Sequence, residues 1–423
     1  GTIGDIILIA AHTHTAVNNL LLRLDSLLAC LQKRATELNL HTKSIQLSRV
    51  DTRDDTIFQN TQIEAFSSKP CFKKIKEMRG SSVLVIGGTT NAILKMVKEL
   101  NSKPSFRNLY PQGFQTKILI VDEASIMVFP HFLALATLVE GDGEMMLSGD
   151  HRQLAPIITH DWENEDRPPV LLYQPYVSAY QAIRNIKFNS DVDIPDQAIL
   201  CSALTFTFRL PTVVRELIGR LYHKDNIDLQ GIEKSINPKE VIGNWERLLQ
   251  GNGGLFLVIH DERESKRSNA LEVKLVKKVL DSGGNLVDHS TAILTPHRAQ
   301  RSLLKTELAD YYGNAVDVID TVEKVQGGEC DNVIVSATAS DLSAISKNVD
   351  FILGLNRSNV AFSRVKKCLI VVCAKTLLDY IPKEIENYEE AILWKALRSK
   401  CSQLIFSDAF DGHRVQVFTP PES

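Results

Sequence analysis

The stretch Ile118-Leu119-Ile120-Val121-Asp122-Glu123-Ala124-Ser125 joins four large aliphatic residues to two consecutive acids. The aliphatic run predicts a strand buried on both faces, because a strand with one wet face would alternate apolar and polar residues. In open parallel sheets ligands bind at the carboxyl ends of strands, where Asp122 and Glu123 stand. A carboxylate there can hold Mg²⁺ through its water shell, and a second can orient an attacking water. Taken alone, the two acids are also compatible with a solvated strand end.

Other strand-sized aliphatic runs are spread over the whole chain and alternate with helical patterns. This alternation predicts an α/β fold with two tandem parallel-sheet domains, at 1–204 and 205–423. The polar, proline-bearing stretch 160–197 marks the break, and 41–80 is predicted to be an inserted subdomain. The remaining runs are at 6–11, 45–48, 83–86, 145–147, 255–259, 292–294, 316–319, 333–335 and 369–372.

The composition is that of a globular protein. The 423 residues carry 48 Lys+Arg against 51 Asp+Glu, a net charge of −3, and 44% are hydrophobic, which excludes a disordered chain. No apolar run approaches the roughly 18 residues that span a bilayer, and no secretory signal is visible. The seven cysteines form no C-x-x-C pair, which argues against zinc, an iron–sulfur cluster or a disulfide framework. We therefore expect a cytoplasmic or nuclear protein.

A second polar strand end follows at 145–156, MMLSGDHRQLAP. Gly149 permits a tight exit from the strand, and Gln153 is a neutral donor able to sense a terminal phosphate. Read together, VDEAS at 121–125 and GDHRQLAP at 149–156 resemble the superfamily 1 helicases. The resemblance is to their 5′-to-3′ branch, which includes the nonsense-mediated-decay helicase and the nuclease-linked replication helicases. It implies two RecA-like domains that hydrolyse ATP, with Mg²⁺, between them.

The resemblance extends to the nucleotide-binding residues. Phe208-Arg209-Leu210 is similar to the start of the family's second domain, and 359–364 (NVAFSR) to its final motif. A forked, always-charged Arg suits the γ-phosphate, although Arg209 could instead pair with a surface carboxylate and Arg364 could lie in a solvated basic turn. The resemblance implies catalytic roles for Glu123, Gln153, Arg209 and Arg364, nucleotide contacts for Asp122, Gln153, Arg209, Gly328, Glu329 and Arg364, and Mg²⁺ held through water by Asp122.

The resemblance also covers the surfaces that bind single-stranded nucleic acid. The motifs are AHTHTAVNNL at 11–20, VLVIGGTT at 83–90, TPHRAQ at 295–300 and DTVEKVQGGE at 320–329. Hydroxyl and backbone N–H groups at strand ends suit phosphates, and such grooves tolerate DNA and RNA alike, with DNA favoured here. Thr89, beside two glycines, could also be an ordinary turn residue. The implied contacts are Thr13, His14, Thr89, Thr295, Pro296, His297 and Thr321.

One part of the family pattern is absent from these 423 residues. No G-x-x-x-x-G-K-[ST] loop occurs, and the resemblance places that loop just before the strand that ends at Ala11. We expect it upstream or in a gap of the numbering, because its partners are all present. The resemblance also implies that a nuclease domain is fused or associated outside these residues. The alternatives are an inactive nucleic-acid-binding scaffold and a nucleotidase or kinase of similar fold.

Overall fold

A computed structural model describes residues 5–40, 44–52, 55–68, 75, 83–108, 110–156, 176–189, 195, 198–233, 245, 248, 254–282, 289–324 and 328–421. The chain divides into two compact units, Gly1–Leu200 and Cys201–Ser423. Each unit has its own sheet of mainly parallel strands, as the sequence predicts. Within the described residues, no helix is long and apolar enough to cross a membrane.

The first unit is built on a sheet of six strands in the order β3-β2-β4-β1-β5-β6, and every pair is parallel. Its strands are β1 Asp5–Ala11, β2 Ile45–Val50, β3 Ile63–Phe66, β4 Val83–Thr89, β5 Thr116–Asp122 and β6 Val139–Leu147. Its helices are α1 His14–Glu37, α2 Thr90–Asn101, α3 Pro104–Arg107, α4 Phe129–Ala136 and α5 Ala179–Asn189.

Helices cover this sheet on both faces. Ile9 and Val85 belong to the apolar cluster under α1, whereas the alternate residues Leu8 and Ile86 belong to the cluster that α2, α4 and α5 build on the opposite face. Because both faces are buried, the central strands need aliphatic side chains at nearly every position. This explains the continuous runs from which the strands are predicted.

The prediction of an inserted subdomain at 41–80 is wrong for the described residues of that segment. β2 pairs with β4 and β3 pairs with β2, both in parallel, so the segment contributes two strands to the main sheet. The short β3, which the aliphatic pattern missed, contains Glu64 and only a single fully buried side chain, Ile63. A strand at a sheet edge tolerates such polar residues, because its outer side has no partner strand.

β6 lies at the opposite edge of the sheet. Met145 and Met146 are 50% and 60% exposed, although they are consecutive and therefore point to opposite faces. Among the described residues, no strand pairs with the outer side of β6. Both faces of this strand are thus less covered than those of any central strand of the unit.

The second unit contains a sheet of seven strands in the order β11-β10-β12-β13-β9-β15-β14 and a short parallel pair, β7 with β8. Its strands are β7 Phe206–Thr207, β8 Gln230–Gly231, β9 Gly254–His260, β10 Thr291–Thr295, β11 Val318–Thr321, β12 Cys330–Ser336, β13 Val365–Ala374, β14 Gln403–Phe410 and β15 His413–Thr419. Its helices are α6 Thr212–Tyr222, α7 Ala270–Ser282, α8 Arg298–Glu307, α9 Leu342–Lys347, α10 Val349–Ile352, α11 Leu355–Phe362, α12 Lys375–Asp379, α13 Ile385–Glu390 and α14 Ile392–Lys400.

Two strands of this sheet depart from the purely parallel prediction. β15 runs antiparallel to β9, and β14 runs antiparallel to β15. The turn between them consists of Asp411 and Gly412, with φ values of 51° and 80°. Two consecutive residues with positive φ form the tight turn that matches the twist of a hairpin, and Asp-Gly is a preferred sequence for it. The hairpin strands are partly exposed, so they lack a continuous aliphatic run.

Gly87 in β4 is required by the close packing of α1. A Cβ atom at this position would lie 2.7 Å from Leu21 Cδ1 and 3.1 Å from Val17 Cγ1, and both of these side chains are fully buried. By contrast, a Cβ atom on Gly141 in β6 would have no neighbour within 4 Å. The two glycines therefore differ in packing while both lie in strands of one sheet.

We expect Gly87→Val to lower the free energy of unfolding by about 1–3 kcal/mol, because overpacking displaces α1. Gly141→Val is the matched control and should be neutral or slightly stabilising, since valine favours a strand. The midpoint of urea denaturation measures both changes. Equal losses in the two variants would contradict the packing role of Gly87.

Candidate functional site

The parallel register of the first unit brings three predicted site residues to one level. Ala11, the last residue of β1, pairs with Thr89 of β4 on one side and with Asp122 of β5 on the other. Thr13 follows two residues after Ala11 and caps α1. The carboxyl ends of these three strands thus place Thr13, Thr89 and Asp122 at one edge of the sheet, as the sequence predicts for a ligand site.

Thr13 and Glu123 are in contact at this edge. The Thr13 hydroxyl accepts a hydrogen bond from Ala16 N at 3.1 Å, which caps α1, and it donates to Glu123 Oε2 at 3.4 Å. Glu123 has a φ of 52°, in the left-handed region that residues other than glycine seldom occupy. Such strain persists only where the surroundings impose it, and it is concentrated at functional sites. The Thr13 hydroxyl therefore connects a residue that is predicted to bind nucleic acid with the predicted catalytic carboxylate of Glu123.

The loop after β6 is bonded to the end of β5. Ala124 N donates to Ser148 O at 2.8 Å, and Asp150 N donates to Ser125 Oγ at 3.4 Å. A Cβ atom on Gly149 would lie 2.9 Å from Ser125 N, so the close approach of the two loops requires glycine there. The VDEAS and GDHRQ motifs are thus neighbours in space.

Gln153 is oriented by the same loop. Its Nε2 donates to Asp150 Oδ2 at 3.0 Å, and its backbone N donates to Asp150 O at 3.0 Å. The side-chain contact directs the carbonyl end of the amide away from Asp150. Gln153 therefore stands beside the acidic strand end, where the resemblance to helicases expects it.

The chemistry at this strand end fits magnesium rather than a transition metal. The part of the chain that the structure describes contains no group of three or more His, Cys, Asp or Glu side chains that could hold a metal. Mg²⁺ needs no such group, because it keeps most of its waters and takes one or two carboxylates. Asp122, partly buried at the end of β5, is suited to that role.

In the second unit, four predicted nucleotide-binding residues come together. Arg209 Nη1 lies 3.8 Å from Glu329 Oε2, and Arg364 Nη1 donates to Gly328 O at 3.3 Å. Lys366, which the motif analysis did not single out, lies 2.8 Å from Glu329 Oε1. Three cations therefore hold the segment 328–329: Arg209 at the start of the unit, Arg364 just before β13, and Lys366 in β13. Positive charge concentrated in this way suits a phosphate ligand.

Burial decides between the alternative assignments of Arg364, whereas the ion pair of Arg209 fits both of its assignments. Arg364 is buried, so it does not lie in a solvated basic turn. Arg209 does pair with an exposed carboxylate, but that carboxylate belongs to Glu329, itself a predicted site residue. Partial burial lowers the pKa of Arg209, while Glu329 and Tyr222 act in the opposite direction. The pairing by itself is compatible with both readings of Arg209.

The turn after β10 is more buried than expected for a segment that contacts nucleic acid. Thr295 is fully buried, and its hydroxyl shares a hydrogen bond of 2.9 Å with the Thr338 hydroxyl. Pro296 is also buried, and Thr321 is 5% exposed. The Thr295 hydroxyl is therefore bonded inside the unit. The prediction that this hydroxyl contacts a nucleic acid strand needs correction. A sequence motif cannot show this, because the partner Thr338 lies 43 positions away.

His297 is the accessible member of this turn. Its ring lies 5.0 Å from that of Phe351, and the Arg357 guanidinium stacks on Phe351 at 4.3 Å. Burial, followed by the nearby Arg267 and Arg357, lowers the pKa of His297 to about 4. Its imidazole is therefore neutral at physiological pH. Aromatic and guanidinium planes of this kind form stacking surfaces for unpaired bases.

The two motifs that are predicted to bind single-stranded nucleic acid occupy equivalent places in the two units. β1 is followed by α1 after two intervening residues, and β10 is followed by α8 after two. The caps differ, because Thr13 accepts a hydrogen bond from α1 while His297 makes no such bond to α8. The sequence carries the same pattern at both places, because 7–16 and 292–300 each run from an aliphatic stretch through Thr and His into a helix.

Sequence reasoning missed several residues around these sites. Tyr222 accepts a hydrogen bond from Asn359 Nδ2 at 3.1 Å and lies near Arg209. Thr338 has a φ of 72°, which is strained for a β-branched residue. Tyr222 ends an ordinary amphipathic helix and Thr338 follows an ordinary strand, so neither carries a local signal.

Comparisons with known proteins match this chain to a domain family and to helicases. A family model described as an AAA domain matches residues 213–376. An uncharacterized ATP-dependent helicase of Methanocaldococcus jannaschii is 24% identical over 294 residues, which cover 67% of this chain and 39% of that protein. A DNA replication ATP-dependent helicase/nuclease of Arabidopsis thaliana is 23% identical over 395 residues, covering 90% of this chain and 26% of that protein.

A probable RNA helicase of Drosophila melanogaster is 22% identical over 288 residues, which cover 62% of this chain and 23% of that protein. The chain thus spans between 23% and 39% of the length of these three relatives. The motifs fall in the expected order, and their residues meet at the strand ends of two RecA-like units. The chain is therefore similar to ATP-dependent helicases of this group, and its motifs match the superfamily 1 pattern that the sequence resembles.

Proposed function

We propose that the chain is the two-unit motor of a helicase that couples ATP hydrolysis to movement along single-stranded nucleic acid in the 5′-to-3′ direction. The observation that carries this proposal is the contact between Thr13 and Glu123. Thr13 is the candidate strand contact and Glu123 is the candidate catalytic carboxylate. Because a hydrogen bond of 3.4 Å connects them, a nucleic acid strand that binds Thr13 can directly change the position of the Glu123 carboxylate.

The proposed chemistry is phosphoryl transfer to water. ATP with Mg²⁺ supplies the phosphoryl group, and Asp122 would hold the metal through its waters. Glu123 accepts the proton of the attacking water or fixes its orientation. Gln153 senses the terminal phosphate through its amide. Because positioning and charge stabilisation dominate this reaction, Arg209 and Arg364 supply positive charge that a neutral side chain could not replace.

The proposed nucleic-acid contacts are Thr13, His14 and Thr89 in the first unit and His297 in the second, each close to the end of a β-strand. Backbone-directed contacts of this kind fix register without reading sequence. The relatives include both a DNA replication helicase and a probable RNA helicase. We favour DNA because the replication helicase matches 90% of the chain, whereas the RNA helicase matches 62%.

The edge of β6 that has no partner strand within the described residues supports a nucleotide-binding element outside them. Met145 and Met146 leave apolar surface on both faces of this strand, and folded proteins normally cover such an edge. The chain contains no phosphate-binding loop, and that loop is carried by a strand that leads into a helix. We propose that the intact motor adds this strand and helix at β6, next to the loop that holds Gln153.

The decisive measurement is ATP turnover by a protein that contains a Gly-rich loop ending in Gly-Lys-Ser/Thr in addition to these residues. We expect turnover that single strands stimulate, an affinity for strands that falls steeply with salt, and unwinding of duplexes with a 5′ overhang. The 423 residues alone should bind strands but hydrolyse no ATP. Unwinding only from a 3′ overhang would contradict the polarity, and an intact protein with no turnover would favour the scaffold.

Glu123→Gln should leave ATP binding largely intact and reduce turnover by about 10²-fold or more, because the amide cannot accept the proton of water. Equilibrium binding of a fluorescent ATP analogue and steady-state hydrolysis measure the two quantities in the intact protein. The control is Glu140→Gln, whose carboxylate is exposed on β6 and lies 3.9 Å from Lys117. Near-normal turnover in Glu123→Gln would remove this residue from the catalytic role.

Arg209→Ala and Arg364→Ala should each slow hydrolysis by about 10³-fold or more in the intact protein, as removal of an arginine finger does. Strand affinity measured without nucleotide should stay unchanged in Arg209→Ala, whose side chain is partly exposed. For the buried Arg364, Lys is the conservative variant that tests charge without emptying the site. An arginine variant that lost strand binding but kept hydrolysis would instead identify a phosphate-backbone contact.

A further inference from the structure

The largest fully buried side chain of the described residues is a cation, Arg49 in β2. Its guanidinium donates from Nε to Asn18 Oδ1 at 2.7 Å and from Nη1 to Val50 O at 2.5 Å, and its Nη2 lies 3.0 Å from His14 Nδ1. All three acceptors are neutral groups. No motif in the sequence points to Arg49.

Among the described residues, no carboxylate lies within hydrogen-bond distance of the Arg49 guanidinium. Burial lowers the pKa of Arg49 to about 10, opposed by the nearby Asp51, so the guanidinium remains charged at neutral pH. The Asp51 carboxylate is occupied elsewhere, by Ser68 N and Ser68 Oγ at 2.8 Å each and by Lys95 Nζ at 3.3 Å. A buried cation with neutral partners costs stability, and this cost calls for a compensating role.

Register explains how Arg49 reaches α1. Arg49 of β2 pairs with Gly87 of β4, and the missing side chain of Gly87 points towards α1. Side chains of register partners lie on the same face of a sheet, so Arg49 also faces α1. Its contacts are to His14, the first residue of α1, and to Asn18, one turn later. Arg49 therefore connects β2 to the helix turn that follows Thr13.

The contact with Arg49 decides which ring nitrogen of His14 carries the proton. A guanidinium has only donors, so His14 Nδ1 must accept the hydrogen bond from Arg49. The proton of the neutral imidazole is then on Nε2. This places an N–H donor on the ring of a residue in the proposed strand-binding turn, and phosphate oxygens are acceptors only.

We propose that Arg49 is a positioning residue for a phosphodiester backbone. It holds the first turn of α1 through His14 and Asn18, sets the Nε2–H tautomer of His14, and adds a fixed positive charge behind the turn. The ligand class is a single nucleic acid strand, so the inference rests on the proposed function. Its alternative is a purely structural role, in which Arg49 only fills the space between β2 and α1.

Asn18→Asp separates the two roles, because only the positioning role predicts weaker binding of a nucleic acid strand. The new carboxylate keeps the acceptor for Arg49 and the volume of the side chain, and it forms a buried ion pair. A structural role predicts unchanged or higher stability with unchanged strand affinity. The positioning role predicts a fold as stable as the wild type, with strand affinity lower by about tenfold because the charge of Arg49 is neutralised.

Strand affinity is measured on the 423-residue chain by fluorescence anisotropy, with labelled oligothymidine and oligouridine, from about 50 to 200 mM salt. Thermal denaturation reports stability in parallel. Arg34→Ala is the control, because it removes a cation from α1, the helix that contains Asn18. Arg34 is exposed and paired with Glu37 at 2.9 Å. We expect Asn18→Asp to weaken both probes with a shallower salt dependence, and Arg34→Ala to leave both unchanged.

Arg49→Lys supplies a second readout that does not depend on strand binding. The ammonium keeps the charge but cannot reach three acceptors in a fixed fork. Nitrogen-15 NMR of the histidine rings should show His14 as the Nε2–H tautomer in the wild type and as a mixture in Arg49→Lys. The same variant should bind strands less tightly than the wild type.

Three results would overturn the inference. These are equal strand affinity in Asn18→Asp and the wild type, a His14 ring protonated on Nδ1 in the wild type, and full retention of affinity and tautomer in Arg49→Lys. A wild-type chain that binds neither oligonucleotide would overturn the proposed function itself, whatever the tautomer of His14. The two failures are therefore distinguishable.

Discussion

The parallel pairing of β1 with β4 and β5 is the constraint on which the candidate site of the first unit depends. Ala11, Thr89 and Asp122, which are between 33 and 111 positions apart in the sequence, stand side by side only because the three strands share one direction and one register. A shift by one residue would turn the alternate side chains to the opposite face and bury a polar strand end. Helix packing on both faces holds this register in place.

Close backbone approach is the second requirement. Gly87 lets α1 lie against β4, and Gly149 lets the loop after β6 lie against Ser125 N. The first contact brings the start of α1 towards the sheet, where Thr13 meets Glu123 at 3.4 Å. The second brings the Gln153 loop to the end of β5. In both places the absence of a side chain, rather than the chemistry of one, positions the site.

Buried polar groups support the turn of the second unit in a different way. Glu272 accepts hydrogen bonds from Ser336 Oγ at 2.5 Å and from Thr338 N at 2.8 Å, and it lies 3.2 Å from His260 Nε2. Thr338 in turn holds the Thr295 hydroxyl. These hydrogen bonds rigidify the ends of β9, β10 and β12, although His260 Nδ1 is buried without a hydrogen-bond partner among the described residues. The exposed part of the turn then rests on a fixed base.

The sequence by itself determined the fold class, the strands of both sheets that are buried on two faces, and the acidic and Gln-bearing strand ends. These features are local, since an aliphatic run followed by polar residues carries its own signal. Motif order also identified Arg209, Gly328, Glu329 and Arg364, which the second unit brings together.

Only the tertiary structure decided which side chains face a ligand and which serve the interior. Thr295 matches its motif yet is bonded to Thr338, while Arg49 matches no motif yet supports His14. The short edge strand β3 and the β14–β15 hairpin also escaped prediction, because partly exposed strands need no continuous aliphatic run. Burial and hydrogen bonding between distant segments depend on strand register, and a linear pattern does not contain that register.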